Sequence, residues 1–104
     1  MTEIVRLRLS YAAKLPARVA RLKEAFSPFR SSLPDEQTLK SMWHSSHKLA
    51  GSAAMYGFAE VGEAARILAS LVRGGPLASD RWADEVLKCL DALEGAVERA
   101  TPFA

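Results

Sequence analysis

The chain has 104 residues, 49% of them apolar and 25% charged, with a formal net charge of +2. That length gives one domain, 1–104, with a single hydrophobic core, and it excludes kinases, dinucleotide-binding enzymes and α/β-hydrolases, all of which need more chain. The charge is too small to argue for nucleic acid. The lone Cys89 removes the disulfide framework of a small secreted protein. No apolar run approaches roughly 18 residues, and Arg6 and Arg8 break the stretch where a signal peptide needs apolar residues, so a cytoplasmic setting is expected.

In chain order, Thr2 to Ala13 reads as a short extra N-terminal helix. The segment Leu7-Arg8-Leu9-Ser10-Tyr11 alternates like a strand but has nothing to pair with. From Pro16, in a first turn, to Phe29, Val19, Leu22, Phe26 and Phe29 recur at helical spacing. From about Glu36 to Tyr56 the apolar set is Leu39, Met42, Trp43, Ser46, Leu49, Ala50 and Ala53, and Gly57 suits the left-handed position just past a helix end. Val61, Ala64, Ala65, Leu68, Leu71 and Val72 mark a third helix, Phe58 to Arg73. A fourth, capped by Ser79 or Asp80, carries Trp82, Val86, Cys89, Leu90, Leu93, Val97 and Ala100. Short breaks between these helices predict an all-α, antiparallel up-down four-helix bundle. Residues 1–30 carry a net +5 and residues 80–104 a net −3, so the first and last helices, neighbours in such a ring, attract. A solvated, self-complementary surface explains this better than a nucleic-acid site, which needs clustered cations with stacking aromatics.

At 100° per residue from Leu39, the second helix buries an arc from about 280° to 60° that includes Trp43 and Ala54, and His47 falls near 80°, at its edge. Lys40, His44, Ala50, Gly51 and Ala54 surround it on the helix surface. Gly51 is costly inside a helix, by about 0.5–1 kcal/mol against alanine. Side chains lean toward the helix N-terminus, so a large residue at i+4 would cover His47, whereas glycine leaves the imidazole accessible. Close helix packing is the competing explanation for Gly51, weakened by its place near 120°, outside the buried arc.

The run His47-Lys48-Leu49-Ala50-Gly51-Ser52-Ala53-Ala54-Met55-Tyr56-Gly57-Phe58 resembles the signature of the histidine phosphotransfer (HPt) family, H-x-L-(K/A)-G-S-x-x-x-x-G-(F/A/L). Leu15 to Leu22 also resembles the first long helix of bacterial members, stand-alone phosphorelay proteins. The resemblance implies that His47 is the phosphoacceptor, carrying a phosphoryl group between the aspartates of receiver domains, those of a hybrid histidine kinase and of response regulators. A neutral imidazole is a competent nucleophile near pH 7. Phosphoryl transfer needs mainly positioning and charge stabilisation, which the partner receiver's Mg²⁺ and lysine supply, so the chain needs no ATP site or cofactor of its own. Many family members carry lysine where this chain has Ala50. The nearest cations are Lys48, about 100° around the helix, and Lys40, two turns back and better placed.

The expected docking surface comprises Lys40, Trp43, His44, Gly51 and Ala54, with Lys48 and Ala50 in support and Arg18 and Arg21 joining if the first long helix packs alongside. Relay contacts are transient, so the interface is expected to be modest and the chain monomeric. His44 reads as an ordinary surface histidine before a second acceptor. His44 and His47 alone are too few ligands for zinc, so no metal is expected. Cys89 reads as an inert core thiol, and Trp43 and Trp82 as core or rim packing. The main alternative is a helical docking module that binds and inhibits a kinase or receiver without taking phosphate. A nucleic-acid-binding bundle is the third option, recognisable by strong salt dependence.

Overall fold

A computed structural model describes residues 2–30, 34–78 and 80–100 of the chain. Four helices, α1 (Glu3–Phe26), α2 (Glu36–Met55), α3 (Ala59–Gly74) and α4 (Trp82–Ala100), form the all-α bundle, and no strand occurs among the described residues. Single 3₁₀ turns, Ser27–Arg30 and Pro76–Ala78, follow α1 and α3.

Contacts across the helices fix their directions. Tyr11 near the start of α1 meets Ser52 near the end of α2. Gly62 at the start of α3 lies against Ala50 and Ala54, while Arg73 at its end lies over Trp43. Glu60 pairs with Arg99, and the Trp82 indole donates to the Leu71 carbonyl at 2.7 Å. Lys23 reaches Asp91 and Glu94 at 3.1 and 3.0 Å, which closes the ring between α1 and α4 with the opposite charges expected there. Each neighbour runs antiparallel to the next.

The helix stops follow local chemistry. Asp35 Oδ1 accepts from the Thr38 amide at 2.7 Å and caps α2. Gly57, at φ +84°, ends it: its amide donates to Ala54 O and that of Phe58 to Ala53 O, the paired bonds of a Schellman turn. The start of α4 falls at Trp82, later than Asp80 suggested, and Ser79 lies outside the described residues.

The N-terminal segment is not a separate helix. Residues 3–26 form one α-helix through Pro16, which stands in its interior rather than its first turn. An interior proline forfeits one backbone hydrogen bond. The apolar stripe overrides that cost, because Tyr11, Ala12 and Leu15 before it and Val19, Leu22 and Phe26 after it are all buried on one face. Thr2 caps the helix through the Val5 amide, and Arg8 Nε donates to the Tyr56 carbonyl at 2.8 Å.

Core residues come from all four helices: Leu15, Val19, Leu22 and Phe26; Met42, Leu49 and Ala53; Val61, Ala65 and Leu68; Val86, Leu90 and Leu93. Each large side chain so buried contributes about 1.5–3 kcal/mol. Ser46 is buried with them and satisfied, since its hydroxyl donates to Met42 O. Trp82 is core, edge-on to Phe26, and the buried Cys89 thiol donates to Ala64 O, its pKa raised by burial. Ala54, placed in the buried arc by its angle, is exposed, and Trp43 is half-buried at the rim.

Candidate functional site

Met42, Ser46, Leu49 and Ala53 of α2 face the core, which turns His47 outward into solvent. Its ring stacks on that of Trp43, centroids 4.9 Å apart and planes 12° from parallel. The spacing explains this: a side chain leans toward the helix N-terminus, so His47 lies back over the residue four positions before it. Trp43 packs on the core rim and is therefore a fixed support. On the other side a Cβ added at Gly51 would meet nothing within 4 Å. Gly51 thus serves no helix contact, and nothing leans back over His47 from its C-terminal side. Among the described residues neither ring nitrogen of His47 takes part in a protein hydrogen bond.

The helix-packing glycine is Gly62 instead. A Cβ there would stand 3.3 Å from Ala50 O, 3.4 Å from Ala54 N and 3.7 Å from Ala54 Cβ. Ala54, read from sequence as part of the docking surface, and Ala50, read as its support, are small because α3 passes close to them.

The other predicted residues divide between two sides of α2. His44 is exposed and edge-on to Trp43, and with Lys40, Lys48, Gln37, Ser41 and Ser45 it lines a shallow depression of about 460 Å³. Lys48 also lines a groove of about 450 Å³ between α1 and α2 with Arg18 and Arg21. The first helix therefore flanks the Lys48 side, and α3 runs beside His47. From α3 comes Arg73, absent from the sequence-based site, whose guanidinium carbon lies 5.6 Å from the Trp43 centroid. Its signal was the antiparallel register that sets the end of α3 opposite the start of α2.

Beyond Glu36, every charged side chain of α2 is basic. Residues 37–59 and 64–79 contain no Asp or Glu, and neither do residues 4–23. Among the described residues no group of three or more His, Cys, Asp or Glu is placed to hold a metal ion.

A family model described as the Hpt domain matches residues 6–96. The chain belongs to the Hpt-domain family. Hpt domains are phosphotransfer modules of two-component signalling. No curated protein and no solved structure matches the chain. Within the Hpt signature, residues other than the histidine have visible structural duties. Leu49 is core, and Ser52 shares a 2.6 Å hydrogen bond with the Tyr11 hydroxyl. Tyr11 stacks in turn on Tyr56 at 4.4 Å and Phe58 at 5.9 Å, so the end of the signature clamps α1 onto the α2–α3 corner. No described helix is long and apolar enough to cross a membrane.

Proposed function

We propose that this Hpt domain is a phosphorelay intermediate whose phosphoacceptor is His47. A receiver domain of a hybrid histidine kinase presents a phospho-aspartate, and a lone pair on one His47 ring nitrogen attacks the phosphorus. The N–P bond forms as the acyl-phosphate P–O bond breaks, and the aspartate carboxylate departs with the electron pair. The other ring nitrogen keeps its proton or releases it to water. The reverse reaction hands the phosphoryl group to a response-regulator receiver. Mg²⁺ held by the receiver stabilises the transferring charge, and this chain supplies the ring and its surroundings.

The single observation that carries this reading is His47 itself: exposed, supported on one side by Trp43 and uncovered by Gly51. Lys40, His44, Lys48, Arg18 and Arg21 lie on the face that a receiver's carboxylate-rich site approaches, and the charge of the two lysines and two arginines speeds encounter. We place the protein in the cytoplasm as a monomer, with receiver domains rather than nucleic acid or membrane as its partners.

The test is transfer of labelled phosphate from a panel of phosphorylated receivers to wild type, His47→Gln and His44→Gln. Wild type and His44→Gln should acquire an acid-labile, base-stable label, and His47→Gln should acquire none. A receiver that binds wild type and His47→Gln equally while labelling neither would make the chain an inhibitory docking module.

A further inference from the structure

We propose that Trp43 and Arg73 complete the His47 site. Trp43 is a positioning residue that holds the imidazole, and Arg73, resting on the same indole, is the cation that binds the phosphoryl group once His47 carries it. This rests on the relay reading above.

Position and charge support it together. The His47 ring and the Arg73 guanidinium both lie within stacking range of one half-buried indole, at 4.9 and 5.6 Å from its centroid. Arg73 is exposed, and its contact with Trp43 is the one interaction found for it among the described residues. Carboxylates are absent from residues 37–59 and 64–79, so neither α2 beyond Glu36 nor the later part of α3 offers Arg73 a fixed partner. The helix that bears His47 places Ala50, not a cation, one turn beyond it.

A guanidinium over an exposed aromatic face is held weakly. A phosphoryl group with about two negative charges offers the same guanidinium two parallel charge-assisted hydrogen bonds, a stronger interaction. Phosphorylation of His47 therefore draws Arg73 from the indole to the phosphoryl oxygens, while Trp43 keeps the imidazole plane fixed. Because Arg73 favours the phosphorylated state, it shifts the exchange equilibrium with a receiver toward phosphohistidine as well as prolonging the label.

The experiment loads wild type, Arg73→Gln, Arg73→Lys, Trp43→Phe and Trp43→Leu with phosphoramidate, which gives its phosphoryl group to imidazole with loss of ammonia. ³¹P NMR then follows the phosphohistidine lifetime and its equilibrium with a receiver domain, and tryptophan emission is read before and after loading. Arg73→Gln should shift the equilibrium toward the receiver by about tenfold, with partial recovery in Arg73→Lys. Trp43→Phe should stay near wild type and Trp43→Leu should slow loading. Wild-type emission should change on phosphorylation, and that of Arg73→Gln should change less. Lifetime and equilibrium unaltered in Arg73→Gln, or loading unaltered in Trp43→Leu, overturns the proposal while leaving the relay intact. Wild type that forms no phosphohistidine from phosphoramidate or from any receiver overturns both.

Discussion

The cations of the α4 seams and those around His47 have opposite fates. At the seams they are paired: Lys23 bridges Asp91 and Glu94 from α1 to α4, and Arg99 joins Glu60 from α4 to α3. Around His47, Lys40 and Lys48 make no ion pair among the described residues, and Arg18 and Arg73 lie over the rings of Tyr11 and Trp43. The difference teaches which charges serve folding and which remain for a ligand. A paired cation is already neutralised, whereas one over an aromatic ring is ordered and still able to meet an anion.

The two glycines near the site carry the same contrast, and they set the largest expected effects. Gly62→Leu forces a side chain against the backbone of Ala50 and Ala54 and should cost about 1–3 kcal/mol in denaturant unfolding. Gly51→Ala enters open space and should instead gain about 0.5–1 kcal/mol from helix propensity. Equal losses at both positions would erase the distinction between a packed seam and an open face.

Smaller effects come from charge. Lys23→Met should lower stability by about 0.2–1 kcal/mol for each pair lost, with the loss fading at high salt. Lys48→Gln and Arg18→Gln should leave stability within about 0.5 kcal/mol while weakening receiver binding and flattening its salt dependence. If Lys48→Gln destabilised the fold as much as Lys23→Met, its charge would belong to the seams after all.

The pH limits of stability separate the regions further. The hydrogen bond from Arg99 lowers the Glu60 pKa from its ordinary 4.5, so the stabilisation is present above that value and lost as pH falls through the folded one. Hydrogen bonds to Glu94 and Asp91 raise the Lys23 pKa above its ordinary 10.5, so its contribution is present below that value and lost as pH rises through the folded one. Glu60→Gln should shrink the acid limb of the melting profile and Lys23→Met the alkaline limb.

Much of this was legible in the sequence, for reasons that particular residues display. Apolar spacing located the helices because a buried stripe must recur every three or four residues, and the angle of His47 put it at the edge of that stripe. Gly51 announced accessibility because it is expensive in a helix. Pro16 misled because local propensity argues for a boundary there, whereas the stripe from Tyr11 to Phe26 decides otherwise. Gly62, Arg73 and the Tyr11–Ser52 pair stayed hidden because each acts across a seam. Their partners follow from how the helices register in space, which spacing along one helix does not encode.

The most direct measurement of the central claim is a ¹H–¹⁵N spectrum of the imidazole nitrogens before and after exposure to a phosphorylated receiver. With only two histidines in the chain, His44→Gln assigns both rings. The account predicts that one ring nitrogen of His47 shifts and couples to ³¹P while the His44 ring gains no such coupling. Phosphorus coupling at His44, or at neither ring while a receiver remains bound, would contradict it.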